Sequence, residues 1–322
     1  MGFKMRLIKL KITPLSSFVT FPKGDTLFGH FAYLSFLKNE TTFVNYATEK
    51  KPKIIFSDIL PDNHLYKPTL PLDAFEGVEE SDKKEFREKS WIKNKDLQNG
   101  NLTKVNSIFP ICSDKECSDK LSDEDKKKCC HHFYETEIKV RNSLNRVTFT
   151  TGVEGFDPFS LEEITFTYQP VIYVMFDSSF RDKEIEDRLN EMGKNGFGKK
   201  GNIGKGYFKA KIDKSFNGFK KIKTKNCYMM TLSPTLLHKS KEMIADEEVY
   251  YNTFNRFGKH HSSSTPFKKP LLMADSGAVV KLKSYEQYIG GGIDNGIGRQ
   301  SLVQGFSILV PFEFKGVKHG KA

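Results

Sequence analysis

The stretch GFGKKGNIGKGYF (196–208) interleaves glycines with Lys199, Lys200 and Lys205. Glycine lets backbone approach a ligand closely and lysine supplies positive charge, so the composition is that of a phosphate-holding loop. The elements around it decide which phosphate. Gly196, Gly198 and Gly201 satisfy G-x-G-x-x-G, a dinucleotide fingerprint that needs a strand before it and a helix after it. Upstream, however, RDKEIEDRLNEMG places Ile185, Leu189 and Met192 on one helical stripe that Gly193 can end, and downstream the alternating YFKAKI predicts a strand. No helix N-terminus follows to receive a pyrophosphate. The Walker pattern fails too, because Gly206 follows Lys205 and no glycine stands five residues before Gly204. What remains is a cationic loop whose amides, including those at Gly198 and Gly204, and whose three lysines suit an extended polyanion.

A second group able to do chemistry is ICSDKECSDKLSDEDKKKCCHH, with the spacing Cys112-x4-Cys117-x11-Cys129-Cys130-His131-His132. Thiolates and imidazoles this close suit tetrahedral zinc better than disulfides in a cytosolic chain. Adjacent residues seldom aim at one ion, so Cys112, Cys117, Cys129 and His132 are the preferred ligands, with Cys130 and His131 as the alternates. A closed four-ligand Zn2+ site would be structural, fixing a lysine-rich tip (111–133) too poor in apolar area to fold unaided. The competing reading is a set of unpaired thiols in a loop. Catalytic zinc at His131-His132 fits poorly, since thiolate-rich sets close the site. Cys227, among apolar residues of a predicted strand, reads as core.

Composition bounds the partners. The 322 residues favour two domains, and 38% hydrophobic with 28% charged residues predicts a soluble globular protein. No apolar run reaches the roughly eighteen residues of a membrane span, and the charged, strand-like MGFKMRLIKLKI is no secretory signal, so the chain is read as cytoplasmic with no membrane partner. A formal net charge of +11 is consistent with nucleic acid or another anionic surface. Acidic residues concentrate in 73–88 and 113–125, leaving the rest more basic still.

The elements that must position these groups begin with RLIKLKI, where Ile8, Leu10 and Ile12 alternate with Lys9 and Lys11 as in a half-buried strand. A helix follows with Asp25 as a plausible N-cap and Leu27, Phe31 and Leu34 on one face. ITFTYQPVIYVMF (164–176) reads as strand sequence broken near Pro170. With the helix at 181, the glycine loop, the strand at 206–213 and one further strand in between, the order is β-α-β-β-α-β, a ferredoxin-like unit. We therefore expect an α+β fold of two such domains. The first spans 1–215, with an insertion at about 40–160 and the glycine-rich loop at 196–206; the second, 216–322, is mostly strands.

DTLFGH, YKPTLPL, the lysine-rich DKKEFREKSWIKNKDL, VRNSLNRVTFTTG and GFGKKGNIGKGYF together resemble the RAMP superfamily of CRISPR proteins, over almost the whole chain. Within it the similarity is to the 5′-handle-binding fourth subunit of the type III-A (Csm) effector complex. The resemblance implies two ferredoxin-like domains and a non-catalytic role. Such a subunit grips the repeat-derived 5′ tag of crRNA, joins the large polymerase-like subunit to the backbone subunit, and meets target RNA only indirectly. It also implies a protruding hairpin near 141–151. There Arg141 and Arg146 suit phosphates, Asn142, Asn145, Thr148, Thr150 and Thr151 suit base edges or 2′-hydroxyls, and Val147 and Phe149 suit stacking or wedging. A polar edge strand is the plainer reading of that segment.

His30 carries a rival function. Related crRNA-processing endoribonucleases place a histidine on or near their first helix as general base, and His30 beside cationic loop lysines would meet the needs of metal-independent cleavage. The resemblance instead implies a helix-packing or RNA-contacting role for His30. PFKKP with His260 and His261 is a further possible set of phosphate contacts.

Overall fold

The computed structural model describes residues 5–108, 132–151, 158–222, 227–258, 269–294 and 301–314. Strand β1 (Arg6–Pro14) leads through a loop to helix α1 (Gly24–Leu37) and short strands β2 (Ile54–Phe56) and β3 (Leu60–Pro61). A long excursion then forms β4 (His64–Tyr66), α2 (Lys83–Glu88), β5 (Trp91–Lys93), α3 (Asn94–Gln98) and β6 (Ser107–Ile108). It continues into the hairpin β7 (Tyr134–Arg141) and β8 (Phe159–Phe166). The chain returns through β9 (Pro170–Phe176), α4 (Asp182–Asn195) and β10 (Phe208–Ile212). Strands β1, β2, β9 and β10 form one antiparallel sheet in the order β10-β1-β9-β2, with β3 also on β9. The β-α-β-β-α-β order expected from the sequence is thus present. The missing strand is β2, which lies inside the 40–160 stretch.

The rest of the chain contributes β11 (Cys227–Thr231), β12 (Ile244–Tyr250), β13 (Thr253–Arg256), β14 (Leu271–Ala274), β15 (Val279–Leu282), β16 (Tyr288–Asp294) and β17 (Leu302–Pro311). Five of them form a second sheet in the order β12-β15-β11-β17-β16, and β13 pairs with β14. The architecture is α+β.

Alternation decides burial in β1. Ile8, Leu10 and Ile12 are buried, while Lys11 and Thr13 face outward. Lys9 also points to that outer face yet is buried, because Asp62 (2.6 Å) and Asp213 (3.1 Å) close over its ammonium. Helix α1 buries Leu27, Phe31 and Leu34 as its spacing predicts. Phe28 and Phe31 pack on Phe43, Tyr46 and Phe56, and Tyr46 meets Phe306 of β17, so one core joins the two sheets. Gln304 of β17 seals that junction by pairing with both the amide (2.9 Å) and the carbonyl (2.8 Å) of Phe56. An unpaired backbone edge buried there would cost about 1–3 kcal/mol.

Two local expectations need correction. Helix α1 begins at Gly24 with Lys23 at the cap position; Asp25 is buried in the first turn, where Arg256 of β13 holds its carboxylate (2.8 Å). The charge pair, not a cap, explains the residue. Helix α4 does not end at Gly193 but runs to Asn195, and Gly196, at φ +81°, stops it. Gly193 serves packing: a Cβ there would stand 2.1 Å from the Phe208 carbonyl oxygen.

Candidate nucleic-acid interface

The loop between β1 and α1 is gripped from both sides. On one side Leu15 N donates to the Tyr207 carbonyl (2.8 Å), Tyr207 N to Ser16 Oγ (2.9 Å), and Gly206 N to the Ser17 carbonyl (2.9 Å). On the other, Phe18 and Ile164 of β8 exchange a pair of backbone hydrogen bonds (2.8 and 2.7 Å). This strip places the glycine loop beside the base of the β7–β8 hairpin.

Glu163 of β8 fastens the two together. Its side chain is 2% exposed, and it accepts from Lys205 Nζ (2.7 Å) and Ser17 Oγ (2.7 Å) on one oxygen and from Arg141 Nη2 (2.6 Å) on the other. Burial alone pushes this carboxyl up, but the hydrogen bonds from Lys205, Ser17 and Arg141 outweigh it and bring its pKa down to about 2. Lys205 and Arg141, two of the cations that the sequence offers for RNA, are therefore each paired with a buried carboxylate.

In the glycine loop, positive φ at Gly196, Gly198, Lys200, Gly204 and Gly206 folds the chain tightly around a short 3-10 turn, Gly201–Ile203. The next element is strand β10, with no helix at which a pyrophosphate would dock. Phe197 is buried under the loop, and the His30 ring lies on it, centroids 4.8 Å apart. Thr20 Oγ1 accepts from the Lys199 amide (3.0 Å), leaving the Lys199 side chain exposed. Lys200 is exposed and places its ammonium 4.6 Å from the centre of the Phe159 ring at the start of β8.

The segment 142–151 forms the far end of the hairpin. Asn145 builds the turn: its Oδ1 accepts from Val147 N (2.9 Å), its carbonyl from Phe149 N (2.8 Å), and its amide donates to the Thr150 carbonyl (3.0 Å). The Thr148 and Thr150 hydroxyls pair with each other (2.7 Å). Asn142, Arg146 and Thr151 are exposed. So are the apolar Val147, at 88%, and Phe149, at 77%, the latter held at φ +57°. A non-glycine aromatic in the left-handed region with its ring in solvent is an uncommon arrangement.

The structure thus draws His30, the glycine loop and β8 into one neighbourhood, while Arg146, Val147, Thr148, Phe149, Thr150 and Thr151, beyond the end of β7, are exposed. Sequence reasoning missed Glu163 and Ser17. Glu163 sits in LEEIT, whose alternation marks one face of a strand but not a cationic neighbour on it. Cys112, Cys117 and Cys129 lie outside the described residues, as do His260 and His261. His132 is described, and its carbonyl accepts from Thr167 Oγ1. Among the described residues no group of His, Cys, Asp or Glu is arranged to hold a metal ion, and no helix is long and apolar enough to cross a membrane.

No protein-family model matches this sequence, and no curated protein matches it. Solved structures do. A chain of the crystal structure of the Csm3–Csm4 subcomplex in the type III-A CRISPR-Cas interference complex is 19% identical at a TM-score of 0.62, over 95% of this chain and 99% of that one. A chain of the Csm1–Csm4 cassette in complex with pppApA is 17% identical at 0.56, over 97% and 100%. The cassette in complex with cA4 gives the same values. Csm4 is the component that these assemblies share, and this chain has the fold of the chains matched in them.

Proposed function

We propose that this chain is a non-catalytic crRNA-binding subunit of a type III-A effector complex. It grips the repeat-derived 5′ tag and bridges the large polymerase-like subunit to the backbone subunit. In this reading both sheets are ferredoxin-like units, with β12, β15, β11 and β17 repeating the strand order of the first. The observation that carries it is the Glu163 clamp, which ties Lys205 of the glycine loop to Arg141 of the hairpin. A rigid joint at the base leaves Lys199, Arg146, Val147 and Phe149 exposed for an unpaired strand: cations for phosphates, an aromatic ring for a base. The partners follow from the company its structural neighbours keep, Csm3 in one assembly and Csm1 in the others.

The rival reading is metal-independent cleavage by His30. Its support is the position of the ring on Phe197, beside the glycine loop. Incubating the full chain with repeat RNA, with and without EDTA, separates the readings. Retention of intact RNA is the expected result; cleavage abolished by His30→Ala would replace the grip with a nuclease, and cleavage abolished by EDTA would replace it with a metal enzyme.

A further inference from the structure

The outer face of β1 and β10 carries a like-charge arrangement that the clamp does not use. In register, Lys11 stands directly opposite Lys211, and Thr13 opposite Lys209. Like charges facing each other across a strand pair are destabilising unless something negative lies between or beside them. The carboxylate that Lys11 reaches is Asp213, and it is already engaged: Lys9 lies 3.1 Å from it, Ser215 donates to it through both its amide (3.0 Å) and its hydroxyl (2.6 Å), and Lys11 reaches it only at 3.7 Å. The Ser215 bonds hold that carboxyl well below the usual carboxylate range, so it stays an anion committed to these partners.

An open groove of about 440 Å3 runs here, lined by Lys11, Lys211, Ile212, Asp213, Lys214 and Ser215. Asp213 is the one carboxylate among the residues that line it. Lys209, Lys211 and Lys214 are exposed, and the Lys11 side chain is 47% exposed. β10 is also an edge strand of its sheet, so this face lies at the rim of the molecule's first sheet.

Direction adds to charge. β10 follows the glycine loop after a single residue, Tyr207, and its outward side chains recur at every second residue, about 6.7 Å apart. Lys209 and Lys211 stand at that pitch, which matches the repeat of an extended strand's phosphates better than it matches one small anion, and Lys214 follows just beyond the end of β10.

We propose that the outer face of β1 and β10 is a phosphate track, in which Lys209, Lys211 with Lys11, and Lys214 successively hold the sugar–phosphate backbone of a single-stranded RNA as it leaves the glycine loop. The track rests on the proposed grip of RNA by that loop and extends it along the sheet edge.

The test uses the full chain and two RNAs, a short repeat-derived oligonucleotide and the same oligonucleotide lengthened at both ends. Binding is followed by fluorescence anisotropy across a salt series. In the triple variant Lys209→Gln, Lys211→Gln, Lys214→Gln, affinity for the long RNA is expected to fall at least tenfold. The slope of log affinity on log salt should drop by about 2, at ~0.7 for each single-strand phosphate that is no longer neutralised, while the short RNA is unaffected. The triple Lys→Arg variant should retain wild-type binding, which separates charge from fold. Unchanged binding of the long RNA overturns the track, and so does an equal loss for both RNAs. If the wild-type chain ignores the short RNA but the long RNA still depends on these lysines, the tag reading fails and the track stands. Inorganic tripolyphosphate is the control for source: binding of it that depends on the three lysines, with RNA binding unchanged, would overturn the strand assignment.

Discussion

Lys205 Nζ lies 2.7 Å from Glu163 Oε2, and that carboxylate is almost wholly removed from solvent. A loop lysine that the sequence offers to RNA is thereby a structural tie. Its neighbours Lys199 and Lys200 keep their side chains outside. The distinction separates two kinds of mutational outcome within one loop.

Lys199→Ala with Lys200→Ala should leave the melting temperature within about the effect of 0.5 kcal/mol, as surface changes do. It should flatten the salt dependence of RNA binding by about 0.7 for each phosphate left without its lysine. Lys205→Ala should instead lower the melting temperature, because a buried carboxylate loses one of its partners at a cost of about 1–3 kcal/mol. Differential scanning fluorimetry and a salt titration of RNA affinity read the two effects separately.

Glu163 predicts a pH dependence whose sign follows from its lowered pKa. Folding holds the carboxyl near 2 against an ordinary 4.5, so its contribution is fully present above about 4.5 and is lost as pH falls from there toward 2. Glu163→Gln should cost about 2–3 kcal/mol at neutral pH, less than a fully buried pair would because Arg141 is 36% exposed. The variant should also show a flatter melting temperature between pH 4.5 and pH 3, within the window set by those two values. An unchanged acid limb in the variant would remove Glu163 as its source.

Gly193→Ala tests the seat of α4 on β10. In a free helix the change would gain up to about 1 kcal/mol. Here the added Cβ meets the Phe208 carbonyl oxygen at 2.1 Å, so helix and strand must part. We expect a net loss of about 2 kcal/mol in denaturant unfolding; a gain would show that the helix shifts freely.

At the hairpin end, Val147→Ala with Phe149→Ala removes two side chains that touch solvent, so stability should hold while RNA affinity falls. A stacked base is worth about 1–3 kcal/mol, a loss of roughly five- to 150-fold in affinity. Equal RNA affinity in the variant would remove the hairpin end from the RNA-contacting surface.

The cysteine cluster predicts about one equivalent of zinc per chain by metal analysis, with a melting temperature lowered by chelator. Far less than one equivalent in protein purified without chelator would dismiss the site.

Much of the architecture was legible from periodicity. The Ile8, Leu10, Ile12 alternation and the Leu27, Phe31, Leu34 spacing each depend on a local repeat, which is why strand and helix followed from them. The glycine loop was likewise excluded from nucleotide chemistry by its neighbours in the chain, a strand standing where a helix would have to be. Its conformation at Lys200 was not legible, since a lysine gives no sign of a left-handed backbone.

What no local pattern contains is which charges meet. Asp25 looked like a helix cap because capping is a relation between near neighbours, and it is buried against Arg256, more than two hundred residues away. Glu163 looked like one more polar residue on a strand until the loop after β1 brought Ser17 and Lys205 to it. The sequence by itself determined the main strands and helices of the first sheet, their order and the cationic character of the loop, because propensity and periodicity act over a few residues. Only the tertiary structure decided which cations are neutralised inside and which remain for a ligand, because charge pairing acts through space between segments that the chain leaves far apart.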